Sequence, residues 1–102
     1  MIRHVVLFKF RKDLNEKVAA EIFVALKDLQ NQVPGILAIS GGKDQSPEGL
    51  QVGNTHGFCV DFVDGAARDA YLPHPAHQAV GAMIVGAAVG GIEGITVLDW
   101  EA

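Results

Sequence analysis

Ile2-Arg3-His4-Val5-Val6-Leu7-Phe8-Lys9-Phe10 is the stretch on which the fold turns. Side chains alternate across a sheet, so Ile2, His4, Val6, Phe8 and Phe10 share one face and Arg3, Val5, Leu7 and Lys9 the other. The first face is apolar except for His4; the second is mixed. A strand apolar on both faces belongs in the middle of a sheet and is covered twice.

Working outward, residues 55–63 repeat the pattern: His56, Phe58, Val60 and Phe62 on one face, Cys59 and Val63 on the other. Between these strands lies an amphipathic helix. Asp13-Leu14-Asn15-Glu16 has capping-box spacing. Val18, Ala19, Ile22, Phe23, Leu26, Leu29 and Val33 then recur at three- and four-residue steps, and Pro34-Gly35 ends the run. Residues 36–40 read as a short strand, and residues 41–54, polar and rich in glycine, as a loop or loose hairpin arm. Asp64 caps a short helix ending near Tyr71. Pro73 and Pro75 break it, because neither ring supplies a backbone donor. A second helical piece covers residues 76–89, Gly90-Gly91 stops it, and residues 92–100 form the last strand, bulged at Gly94.

The order strand, helix, strand, strand, broken helix, strand predicts an α+β, ferredoxin-like split βαββαβ fold. A four-stranded antiparallel sheet carries both helices on one face. The whole chain, residues 1–102, reads as one domain. Val5, Leu7, Cys59 and Val63 would leave the other sheet face bare in a monomer, so a second copy is expected to close it into an α/β barrel. The apolar share of 49% fits a chain with a second surface to hide.

Charge narrows the partners. The net charge is −4, and Lys9, Arg11, Lys12 and Lys17 are scattered and countered by Asp13 and Glu16. Nucleic-acid binding needs clustered cations and is not expected. Cys59 is the only cysteine, which rules out an intrachain disulfide and points to a reducing, cytoplasmic setting. Residues 79–92, the longest apolar stretch, are too few and too glycine-rich to span a bilayer, so no membrane association is expected.

Chemistry concentrates in Tyr71-Leu72-Pro73-His74-Pro75-Ala76-His77: a phenol and two imidazoles held by two prolines. The antiparallel topology brings the early part of the broken helix near the start of the first strand. His4 and Tyr71 are therefore expected to share a cavity, with His77 just above and His56 nearer the other end of the sheet. Each residue also has a plain structural reading. His74 and His77 can cap the broken helix, His4 can be a satisfied core histidine, and Tyr71 an ordinary core aromatic. Pro73, His74 and Pro75 read mainly as the joint. The His74-x-x-His77 spacing has no carboxylate or thiolate close by in sequence, so no metal site is expected. Cys59 points away from His56, against a Cys–His nucleophile. The glycines from Gly81 to Gly94 follow no strand-to-helix turn and are not a dinucleotide fingerprint.

The opening Met1-Ile2-Arg3-His4-Val5-Val6-Leu7-Phe8-Lys9-Phe10, the pair Thr55-His56 and the Tyr71–His77 run together resemble the stress-responsive dimeric α/β-barrel (Dabb) family over essentially the whole chain. The resemblance implies a ferredoxin-like protomer and a homodimer, but not one function. The family is a mix of stress-associated plant proteins, uncharacterised bacterial proteins and a plant polyketide cyclase. By resemblance to the cyclase, His77 takes the place of the catalytic base, Tyr71 that of its phenol partner, and His4 and His56 those of pocket histidines. That chemistry removes a proton between two carbonyls and steadies the enolate, and it requires no metal or organic cofactor. Phe23, Leu26, Ile84 and Trp100 are expected as apolar walls. The segment 79–89 is small and glycine-rich where the cyclase helix is bulky, which separates the two pockets in shape.

Two readings follow. One is a dimeric barrel of undefined role that binds a small apolar ligand. The other is a cofactor-free cyclase or isomerase of polyketide-like enolisable carbonyl compounds using His77 and Tyr71. A small cofactor-free monooxygenase is a weaker third. An enzyme predicts an open cavity of a few hundred Å³ beside His77; a structural protein predicts the same side chains packed shut.

Overall fold

Strand alternation governs the architecture of the structure, a computed structural model that describes residues 1–102. In chain order the elements are β1 (Ile2–Phe8), α1 (Glu16–Gln32), β2 (Ile36–Lys43), β3 (His56–Phe62), α2 (Gly65–Tyr71), α3 (Pro75–Ala87) and β4 (Thr96–Glu101), with a 3-10 turn at Gly91–Gly94 before β4. The sheet order is β2-β3-β1-β4, all antiparallel. This is the expected ferredoxin-like arrangement, with β1 central between β3 and β4.

The helices cover the face that carries the even residues of β1. Val6 and Phe8 meet Phe58, Val60 and Phe62 of β3, and Ile22, Leu26 and Leu29 of α1 close over them, with Val80 and Ile84 of α3. Phe8, Leu29, Val60 and Phe62 are completely buried. Full burial of such side chains contributes about 1.5–3 kcal/mol each, so this layer dominates the stability of the chain. His4 is the one polar residue in the buried set.

The opposite face is uncovered and mixed, with an apolar patch along β1 and β4. Pairing places Leu98 beside Val5 and Trp100 beside Arg3. Leu7, Leu98 and Trp100 are all exposed there. Arg3 grips Asp61 through two hydrogen bonds of 2.8 and 3.1 Å on this face, and they hold the Asp61 carboxyl below its usual range.

Several boundaries differ from expectation. The cap of α1 is Asn15, not Asp13: Asn15 Oδ1 accepts the Lys17 N–H at 2.7 Å, while Asp13 lies outside and pairs with Arg11 at 3.4 Å. Both are good cap residues, and spacing alone did not choose between them. β2 runs three residues beyond its predicted end, through Gly41 and Gly42 to Lys43. Gly41 permits this: a Cβ there would stand 2.7 Å from Phe58 Cβ and 2.9 Å from a Phe23 ring carbon. The last strand begins at Thr96 rather than residue 92, because the 3-10 turn takes the place of a bulge at Gly94. A Cβ at Gly94 would collide with the Val89 carbonyl.

Candidate functional site

The break between α2 and α3 is built from local hydrogen bonds. Asp64 caps α2 by accepting the Ala67 N–H at 2.9 Å. After Tyr71 the chain turns, and His74 caps α3: its Nδ1 accepts the Ala76 N–H at 3.1 Å, with Pro75 in the first helical turn. His74 is thereby committed to the joint.

His77 faces the other way. Its Nδ1 lies 3.0 Å from the Leu72 carbonyl oxygen. A carbonyl only accepts, so Nδ1 carries the hydrogen, and in the neutral ring Nε2 is left with a free lone pair. Burial pushes the His77 pKa below the ordinary histidine value, against a smaller upward pull from the Leu72 carbonyl; His4 and His74 push further down. His77 is therefore neutral at pH 7, as a proton acceptor must be.

The His77 ring lies on Tyr71, with centroids 4.0 Å apart and planes tilted by 34°. Tyr71 is completely buried and also meets Phe62 at 4.9 Å and His4 at 6.0 Å. Its hydroxyl is buried with no hydrogen-bond partner. Burial raises the pKa of the phenol, so it stays protonated and able to donate.

Behind Tyr71, His4 Nδ1 donates to Asp99 Oδ1 at 2.7 Å, and Arg68 donates to Asp99 Oδ2 at 2.7 Å. Burial alone would raise the Asp99 pKa, but the bonds from Arg68 and His4 hold it below the usual range. One carboxylate thus ties β1, α2 and β4 together and fixes the hydrogen of His4 on Nδ1. Neither Asp99 nor Arg68 was expected in the site. An acid inside the apolar run Val97-Leu98-Asp99-Trp100 was the readable signal for Asp99. Its pairing with His4 depends on the β1–β4 register, which sequence does not give.

His4, Tyr71 and His77 do come together. His56 does not join them. It sits opposite Phe8, four residues and about 13 Å along β1 from His4. There it packs on Phe10 at 4.5 Å and Phe23 at 5.9 Å, and its Nδ1 bonds the Thr55 hydroxyl at 2.7 Å. Burial, with Lys43, lowers the His56 pKa. Phe23 therefore walls the His56 cluster rather than His77. Leu26 and Ile84 are core residues on the same side of the sheet. Trp100, expected as a wall, is on the uncovered face, since it pairs with Arg3 and not with His4.

One recess, of about 1130 Å³, runs along the uncovered face between β2–β3 and the arm that joins them; His56, Lys43, Asp44, Glu48 and Leu50 are among its lining. A second, of about 220 Å³, lies between Arg11, Leu14, Val18 and Met83. His4, Tyr71 and His77 line neither. No three His, Cys, Asp or Glu side chains come together to hold a metal ion.

Comparison with known proteins adds to this geometry. The stress-response A/B barrel domain-containing protein HS1 of Arabidopsis thaliana is 28% identical over 100 residues, covering 98% of this chain and 88% of HS1. The olivetolic acid cyclase of Cannabis sativa is 29% identical over 80 residues, 78% of this chain and 79% of the cyclase. A dimeric ferredoxin-like protein of unknown function from Jannaschia sp. CCS1 superposes with a TM-score of 0.90 at 31% identity, over 99% of this chain and 98% of that one. With residues 2–102 matching the family pattern as well, the chain belongs to the Stress responsive A/B Barrel Domain (Dabb) family.

Proposed function

We propose that this chain works as a homodimer whose His77–Tyr71 site takes up a small, largely apolar carbonyl compound and moves a proton to and from the carbon beside the carbonyl, with side chains alone. The observation that carries this reading is a neutral His77 whose Nε2 lone pair is free and whose ring lies against that of Tyr71, a phenol with a buried hydroxyl that has no partner. An unmade buried hydrogen bond costs about 1–3 kcal/mol, and a carbonyl oxygen would satisfy it. The proton leaves the α-carbon for His77 Nε2, giving an imidazolium and an enolate. Tyr71 donates a hydrogen bond to the enolate oxygen, and the imidazolium returns the proton. An enolate that meets a second carbonyl in the same molecule closes a ring instead, the class of chemistry named in the cyclase relative. The bare sheet face supports the homodimer, and the Jannaschia relative is described as dimeric.

The second reading is a barrel of undefined role in which these groups only pack the joint. It is favoured by the two main recesses, neither of which opens on His77. Proton exchange separates the two. A short, apolar 1,3-diketone incubated with the protein in deuterated buffer should lose its α-proton NMR signal faster than in buffer alone. His77→Ala should remove about 10²–10⁴-fold of that acceleration, and Tyr71→Phe part of it. Equal exchange with wild type and His77→Ala would leave only the packing role.

A further inference from the structure

We propose that Gly81 determines which ligands reach His77, by leaving the space off Nε2 empty. The inference rests on the reading of His77 as proton acceptor. Positions 77 and 81 are one turn apart on α3, so their side chains share a face. Glycine is the poorest helix former after proline, and its place in a helix interior calls for a reason. None of the usual reasons applies. The backbone there is not left-handed, as it is at Gly35, Gly49, Gly53, Gly90 and Gly91. No backbone or core side chain crowds the position either. A Cβ on Gly81 would find one atom within 4 Å: Nε2 of His77, at 4.0 Å. Gly86, the other glycine of α3, faces open space and no functional group.

A methyl at position 81 would just touch the imidazole at ordinary van der Waals distance. A longer or branched side chain would spread over the lone pair. The Tyr71 ring lies against that of His77, and its hydroxyl, buried and unpartnered, is an independent mark of a place for a ligand oxygen. Gly81 thus admits carbonyl compounds that carry substituents at the reacting carbon, which a larger residue would turn away.

The test is carbethoxylation of the intact protein by diethyl pyrocarbonate, which attacks unprotonated imidazole nitrogen, with each histidine followed by peptide mass. His77 should react in wild type. Gly81→Ala should raise the melting temperature by a few degrees and leave His77 reactive. Gly81→Leu, a good helix former that keeps the fold, should lose His77 modification while His56 reacts as before, and diketone exchange should be lost with it. His77 that is inert in wild type, or equally reactive in Gly81→Leu, would overturn the proposal. Because the reagent reads access and not turnover, protection in Gly81→Leu upholds the role of Gly81 even where wild type exchanges no diketone protons. Where wild type does exchange them, unchanged exchange in Gly81→Leu would overturn it while leaving the acid–base reading standing.

Discussion

Two histidines three positions apart use the same ring nitrogen in opposite ways. His74 Nδ1 accepts a backbone N–H, whereas His77 Nδ1 donates to a backbone carbonyl. The first is a cap; the second leaves Nε2 open, as the proposed role of base requires. Substituting His74 by alanine should therefore cost about 0.5–2 kcal/mol in urea unfolding, the range for a lost N-cap, with carbonyl-compound exchange retained. Acidity acts through His77 and His56. Burial holds His56 and His77 below 6.5, so as pH falls beneath that value the unfolded chain binds protons that the folded chain refuses. Their contribution is constant above that value and turns increasingly unfavourable on the way down to the folded pKa. Urea midpoints at pH 7.5 and 5.5 should show the protein weaker at the lower pH, and His77→Gln should shrink the difference. The plain reading of His74 was legible in Pro73-His74-Pro75, because flanking prolines force a break. The tautomer of His77 was not, since it depends on where the Leu72 carbonyl points.

At the level of elements, the site is an intersection. α2 delivers Tyr71 and Arg68, β1 delivers His4, β4 delivers Asp99, and α3 delivers His77. Asp99→Ala would leave the His4 N–H and the Arg68 guanidinium without their acceptor, at a cost of about 1–3 kcal/mol measured by thermal or urea unfolding. On the β2 edge, Gly41→Val would drive a side chain into Phe58 and Phe23 and should destabilise the fold by about 1–3 kcal/mol in the same measurement. Periodicity gave the elements and the sheet face of His4 and His56, because alternation is a local property. Their separation along the face follows from register: Phe8 opposite His56 and His4 opposite Val60. Trp100 shows the same dependence. A slip of one residue in β4 exchanges the covered face for the bare one, and only the observed pairing puts Trp100 on the bare side.

For the whole molecule, the uncovered face is the feature that one chain leaves unfinished. Leu7, Leu98 and Trp100 are exposed together on it, around the Arg3–Asp61 pair. At micromolar concentration light scattering should give twice the 10.8 kDa chain mass, and Leu98→Glu should shift the population toward monomer. A wild-type monomer would remove the dimer from the reading without touching the geometry within one protomer. That geometry converges on a single proton. In a long-range nitrogen–proton correlation spectrum of the imidazoles of the intact protein at pH 7, His77 should appear as a neutral ring with hydrogen on Nδ1 and none on Nε2. A His77 found protonated on Nε2 at that pH, as the other tautomer or as imidazolium, would contradict its proposed role as base.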